Sequence, residues 1–437
     1  MTTPEDVLDL RLREEASVRA GEGNRVQAGP RDYQDPILAL TQRLIEIDTS
    51  NPPGRGYEAC ADLLQSTLIG LGLACDRIEV AIPGLGPRYI LRSVWGSGVR
   101  SIYLHGHYDV VPAQSAEQFR PRVIDGRLWG RGSADMKGGL AAMIYAIVAL
   151  RDADCDLEGR VVLQLVPDEE VGSVGGSAWL TARTDLFDEG AIGMLTPEPS
   201  GGAIWNASRG AISQRVTVYG RESHVGRLDA GDNAFERMVD VVASLRRLRD
   251  ELAERRTSYA IEPPEARRSL LLLGGMASSG ANFNVVPGQA TFTIDRRPNP
   301  EEDLAEERAR LAEVIDGFRS AGYRLDVETL QEAAAAGSPD DHPVAVALAE
   351  SADAFQGRRP PFQMCPGILE TRWYASAGLP AYAFGPGSLD VAHGPDESVD
   401  IASLSQYSSI YAQTIRRLLA DHIAKSRDID RQGSTFS

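Results

Sequence analysis

The sequence predicts an α/β protein in which one layered domain is interrupted by a smaller α+β domain. Three observations carry this reading. The chain of 437 residues exceeds the roughly 250–300 at which single cores stop growing. Apolar runs of strand length alternate with helix-patterned segments before residue 207 and again after about 335, as layered α/β domains do. Between those stretches the apolar pattern changes to period two, the mark of a sheet with one wet face. With 43% hydrophobic and 24% charged residues, the chain has the composition of an ordinary globular protein able to bury large cores.

Taken in order, residues 1–34 read as an N-terminal arm, with Val7, Leu8, Leu10 and Leu12 on one short helix before a glycine-rich break. The first catalytic-domain segment, 35–207, begins where Ile37, Leu40, Leu44 and Ile47 share a helical face. A second helix runs from about 57 to 72. The runs "RYILRSVWG", "SIYLHG", "RVVLQLVP" and "AIGMLTPE" read as strands, with an alanine-rich helix from Gly138 to Leu150 between two of them. In the inserted segment, 208–325, the strand "AISQRVTVYG" precedes a helix over 233–254. The strands "SLLLLGGMA" and "QATFTIDRR" and a helix over 301–318 come next, and the segment reads as β-α-β-β-α-β, its final strand not delimited by a motif. The layered texture resumes over 326–425, with helices near 343–355 and 400–420 and the strand "PAYAFGPG", and 426–437 is a tail.

The formal charge of −17 argues against nucleic acid or an anionic membrane as the partner, because phosphates are bound by clustered Lys and Arg. Four cysteines without a CxxC pair indicate neither a zinc ribbon nor a disulfide framework. The charged N-terminus lacks the apolar centre of a secretory signal, and no stretch approaches the roughly 18 apolar residues of a membrane span. A cytoplasmic protein is expected.

Acidic and imidazole side chains stand at the ends of five predicted segments, where open α/β sheets build their sites. They are His107 and Asp109 in "HYD", Asp135 in "GRGSADMKGG", Glu169 and Glu170 in "VPDEEVGS", Glu198 in "TPEPSG" and His393 in "DVAHGPDE". Each alone reads as readily as a solvated turn or a satisfied core histidine. Together, two histidines and several carboxylates suit divalent first-row ions, and suffice for two ions if one carboxylate is shared.

In order and spacing these motifs resemble the co-catalytic dinuclear metallopeptidases and deacylases, the family of acetylornithine deacetylase, succinyl-diaminopimelate desuccinylase, aminoacylase, glutamate carboxypeptidase and carnosine-type dipeptidases. The resemblance spans about 35–419. It implies a discontinuous zinc-peptidase-like catalytic domain, a mixed sheet between helices, with an inserted ferredoxin-like lid or dimerisation domain. It further implies that His107, Asp135 and Glu198 bind one ion, that Asp135, Glu170 and His393 bind the other, and that Asp135 bridges. Zn²⁺ is the expected metal, with Co²⁺ or Mn²⁺ as alternatives. Glu169 becomes the general base and Asp109 the carboxylate that orients His107. The peptide after the bridging aspartate is often cis in such proteins. His105, sharing the parity of His107, is expected lower on the strand as a packed residue.

By the same resemblance His224 in "GRESHVGR" is a lid histidine that in dimers reaches the partner's site and stabilises the developing oxyanion. Asn284 and Arg297 match a pair that grips a substrate carboxylate, with Arg296 as competitor. Gly385 and Gly387 in "FGPG", read from the residues alone, let the backbone approach the site closely, with a plain turn as the alternative. Leu369 and Glu370 depart from a small residue followed by Asp, and are expected to reshape the pocket wall. The expected activity is hydrolysis of the amide bond of an N-acyl amino acid or small peptide with a free carboxylate. A metal-acidified water attacks and Glu169 takes its proton. A carbamoyl, ureido or ester bond at the same site is the alternative, and a silent binding protein of the same fold a further one. The lid's exposed helix and edge strand suggest a homodimer.

Overall fold

The computed structural model describes residues 32–183 and 189–420. The helix expected in the N-terminal arm and the C-terminal tail lie outside them. The main sheet runs in the spatial order Asp76–Val80, Arg88–Gly96, Gly159–Val166, Arg100–His107, Ala191–Pro199, Ala381–Gly385, Ile204–Ser208 and Ala336–Gly337, with Phe362–Cys365 also pairing to Ile204–Ser208. Its four central strands, Gly159–Val166, Arg100–His107, Ala191–Pro199 and Ala381–Gly385, are mutually parallel, and the flanking strands make the sheet mixed. Buried on both faces, these strands read as continuous apolar runs. Parallel order also gathers their C-terminal ends along one edge, and register sets His107 beside Val166.

The helices Gln34–Ile45, Lys137–Asp152, Pro343–Gln356 and Ile401–Leu419 pack around a single apolar core that includes Ile37, Leu44, Leu140, Ile144, Leu348 and Ile410. Each such side chain, fully buried, contributes about 1.5–3 kcal/mol. The start of Lys137–Asp152 is glycine because the helix lies against the strand that carries Glu198. A Cβ on Gly139 would stand 2.5 Å from Pro197 Cβ, so even alanine there pushes the helix away from that strand.

The inserted domain has its own core and a four-stranded antiparallel sheet ordered Leu270–Ser279, Gln289–Arg297, Ala211–Tyr219, Arg324–Ala333. This is the strand order of a ferredoxin-like fold. The period-two pattern buries Ile212, Val216 and Val218 against Val241 and Leu245 of the helix Ala234–Leu252 and against Leu311 and Ile315 of Leu304–Ser320. Asn233 caps the first helix by accepting from the backbone N–H groups of Phe235 and Glu236, and Asp303 caps the second through Glu306. The last lid strand continues to Ala333, past the boundary expected at 325. It is a mostly exposed edge strand with a register shift between Thr329 and Gln331, so its apolar alternation is broken. The sequence reading also passed over short pieces: the hairpin Arg122–Ile124 and Arg127–Trp129, and the strands Asp76–Val80 and Phe362–Cys365.

Candidate metal centre and active site

Each acid and imidazole is delivered by an element whose sequence fixes its position. His107 ends the strand Arg100–His107, Glu198 lies near the end of Ala191–Pro199, and Glu169 and Glu170 open the short 3₁₀ turn after Gly159–Val166. Asp135 lies two residues before the helix Lys137–Asp152, with the Asp135–Met136 peptide cis as the resemblance implies. His393 sits in a loop at positive φ (63°).

Asp135 stands between the two histidines. Its Oδ1 lies 3.3 Å from His107 Nε2 and its Oδ2 3.1 Å from His393 Nε2. Glu198 Oε1 is 4.0 Å from His107 Nε2, and Glu170 Oε2 is 3.6 Å from His393 Nε2. Within each set, His107–Asp135–Glu198 and Asp135–Glu170–His393, one donor atom per residue lies within 4.8 Å of the others. A third set, His107–Glu169–Glu170, meets the same distance. The donor chemistry fits divalent cations: Glu198 Oε1 is buried with no hydrogen-bond partner, and the buried Asp135 Oδ1 has only the His107 imidazole nearby, so the cluster of carboxylates is short of positive charge.

The electrostatics agree. Burial, followed by the negative charge of Asp135, pushes the carboxyls of Glu170 and Glu198 well above the usual range. Burial likewise lifts Glu169 to about 7, and neighbouring carboxylates add to it against the pull of His107. Burial also acts to raise Asp135, but hydrogen bonds and charge from His107 and His393 hold it below its ordinary value.

Asp109 differs in detail from its expected part. His107 Nδ1 hydrogen-bonds the backbone carbonyl of Asp109 at 3.0 Å, while the carboxylate Oδ1 is 3.5 Å away. The carboxylate accepts instead from the backbone N–H groups of Glu169 (3.1 Å) and Glu170 (3.2 Å) and from Asn51 Nδ2 (3.0 Å). Asp109 thus fixes the imidazole with its main chain and the two-glutamate turn with its side chain.

Other buried groups went unassigned in the sequence reading. Glu397, the last residue of "AHGPDE", accepts from the backbone N–H groups of Ala134 and Asp135, both at 3.1 Å, and pairs with Arg131. Arg131 in turn donates to the carbonyl of His393. Asp168 pairs with Arg88 at 2.9 Å and accepts from Tyr57 and Asn51. Glu397 was legible as part of a motif. Arg88 and Asn51 carried no local signal, because their partners lie 80 and 58 or more residues away.

Leu369 and Glu370 are not on the pocket wall. Leu369 packs with Ala203, Trp205, Cys365 and Ala383, and Glu370 is fully buried against His105 at 2.7 Å. Gly385 is also interior: a Cβ there would meet Pro197 O at 2.1 Å and Glu198 O at 2.7 Å, so its bareness serves strand packing beneath Glu198.

The lid residues form a separate group. Ser223–His224 pairs with Val285–Val286, and Val225 N–H donates to Asn284 O, which sets His224 beside Asn284. His224 is exposed and its Nδ1 accepts from Gly226 N–H at 3.1 Å. Arg297 is half-buried and pairs with Asp295, whereas Arg296 is fully buried among Glu302, Glu307 and Ser269. The competition between the two arginines ends there, since Arg296 has no free face to offer a ligand.

Residues 103–417 match the model of peptidase family M20/M25/M40. A succinyl-diaminopimelate desuccinylase of Rhodospirillum rubrum is 30% identical over 398 residues, covering 86% of this chain and 97% of the relative. A deformylase of Bacillus subtilis named for N-formyl-4-amino-5-aminomethyl-2-methylpyrimidine is 24% identical and covers 87% of this chain and 93% of the relative. Among solved structures, a family M20 metallo-carboxypeptidase from Sulfolobus solfataricus superposes with a TM-score of 0.72 at 16% identity, covering 87% of this chain and 98% of that one. A dinuclear metal-binding peptidase of the same family from Bacillus subtilis gives 0.62 at 14% identity, covering 89% and 99%. The chain belongs to peptidase family M20/M25/M40. It is a metal-dependent amidohydrolase with the family's catalytic and lid domains.

Proposed function

We propose that the protein hydrolyses the amide bond of an N-acyl amino acid or small peptide bearing a free carboxylate. The observation that carries this reading is Asp135, shared between the His107–Glu198 and Glu170–His393 pairs. In this reading His107, Asp135 and Glu198 hold one divalent cation and Asp135, Glu170 and His393 the other. Zn²⁺ is the leading candidate and Co²⁺ or Mn²⁺ the alternatives. When bound, the pair supplies Lewis acidity and lowers the pKa of water.

The protein's own groups do the rest. Glu169, lifted to about 7 by burial, is suited to accept a proton from the attacking water and to return it to the leaving nitrogen as the C–N bond breaks. Asp109 holds that glutamate's backbone in place. Because His224 Nδ1 accepts a backbone N–H, a neutral His224 carries its proton on Nε2, which is the donor that a developing oxyanion needs. Asn284 and Arg297 grip the substrate carboxylate.

The lid supports a homodimer. Its edge strand exposes Leu272 and Met276, and beside that strand an apolar groove is lined by Met238, Val239, Val242, Leu273, Ala277 and Phe292. A cytoplasmic location fits four free cysteines, and no helix among the described residues is long and apolar enough to cross a membrane.

A panel of N-succinyl, N-acetyl and N-formyl amino acids, dipeptides and carbamoyl amino acids, assayed with each metal, tests the substrate class. Glu169→Gln should retain metal and substrate but lose turnover by about 10²–10⁴. Near-normal turnover in that variant removes the assigned base. Light scattering that found only monomer at full activity would remove any role for His224 across a dimer.

A further inference from the structure

Beneath the two-glutamate turn lies a buried polar network that no step above uses. Glu370 Oε2 pairs with His105 Nε2 at 2.7 Å. Its Oε1 accepts from Ser173 Oγ at 3.1 Å and from Ser177 Oγ. His105 Nδ1 meets Tyr374 Oη at 2.6 Å, and that hydroxyl also donates to Gln164 at 2.7 Å. A carboxylate removed from water is expensive unless its oxygens are satisfied, and here each oxygen has a polar partner.

The placement of those partners gives the network a task. His105 lies two residues before His107 on the same strand. Ser173 closes the loop that begins at Asp168 and carries Glu169 and Glu170, its N–H donating to Asp168 O, and Ser177 starts the helix that follows. One side chain therefore ties the strand that presents His107 to the turn that presents Glu170, and touches neither residue's reactive atoms. Asp168 anchors the start of that turn through Arg88, and Asp109 holds its two N–H groups. Glu370 is the anchor at the far end.

We propose that Glu370, acting through Ser173, Ser177 and His105, is a positioning residue that sets the distance between the His107 strand and the Glu169–Glu170 turn. Losing it weakens the cation held by Asp135, Glu170 and His393 more than the one held by His107, Asp135 and Glu198. This rests on the metal and base assignments made above.

The test uses full-length Glu370→Gln and Ser173→Ala, with Glu169→Gln as reference. Metal-free protein is titrated with Co²⁺ by calorimetry and visible absorption, kcat and KM are measured, and melting of the metal-free protein is followed. The expected result in both variants is one cation equivalent weakened about 10–100-fold, the other within about threefold of the parent, and kcat lowered about 10–100-fold at little-changed KM. Two equivalents of parental affinity with parental kcat would overturn the proposal. So would equal loss of both equivalents alongside a lower melting temperature, since that marks a purely structural role. If Glu370→Gln does not fold, Ser173→Ala, which deletes one hydroxyl, decides alone. Full turnover in Glu169→Gln would instead indict the base assignment and leave the metal titration to judge Glu370.

Discussion

Replacing Glu397 by Gln tests whether the shared aspartate is held from behind. Glu397 is 2% exposed and faces three donors: the N–H groups of Ala134 and Asp135 on Oε1, and Arg131 Nη1 on Oε2 at 2.5 Å. A glutamine has one acceptor for these two directions. With its oxygen towards the backbone, its NH₂ meets a guanidinium that is 1% exposed. Turned round, it faces two buried N–H groups, one of them that of Asp135 itself. An unsatisfied buried donor costs about 1–3 kcal/mol, and a buried ion pair broken on one side about 3–5 kcal/mol. The larger figure governs, because Arg131 keeps only Gln114 and the His393 carbonyl as neutral acceptors. Urea unfolding in chelator should show a midpoint lower by about 1 M. Because Asp135 belongs to both cation sets and Arg131 also fixes the His393 loop, calorimetric titration should show both cations weakened together. A variant within about 0.5 kcal/mol of the parent that binds two cations at parental affinity would refute the reasoning.

Four other outcomes are expected. Chelation should abolish turnover, and Zn²⁺, Co²⁺ or Mn²⁺ should restore it. Since burial holds Glu170 and Glu198 above the usual carboxylate range, cations displace protons there, so affinity should rise with pH and calorimetry in two buffers should detect proton release. Arg297→Met should raise KM about 10–100-fold for substrates with a free carboxylate and leave their amides little changed, whereas Arg296→Met should act on stability, its guanidinium being locked to Glu302 and Glu307. Burial acts to raise Glu370, but His105 and the serine hydroxyl bring it down to about 2 from a usual 4.5. A lowered folded pKa means stability that is present above about pH 4.5 and is lost as pH falls towards 2. Metal-free protein should lose about 3 kcal/mol across that window, and Glu370→Gln should show a flatter acid limb by denaturant titration.

Much of the candidate site was legible because several of its acids and imidazoles stand at ends of strands, where sequence pattern and chain direction both speak. His107, Glu170 and Glu198 follow apolar runs whose parallel pairing brings their ends to one edge. Glu370 was misread for the opposite reason: an acid after Leu369 resembles a pocket residue until Ser173, Ser177 and His105 are seen around it. Arg296 and Arg297 are adjacent in sequence, and alternation in a strand sends them to opposite faces, so only the packing of Glu302 and Glu307 told them apart.

The sequence by itself determined the layered architecture and the insertion, and its motifs singled out the acids and imidazoles that the fold gathers into candidate cation sets, because periodicity and residue chemistry are local properties. The tertiary structure alone decided what supports them. Glu397 behind Asp135, Asp109 under the glutamate turn and Glu370 at its far end act on groups up to 266 residues away, and such pairings exist only once the parallel strands are side by side.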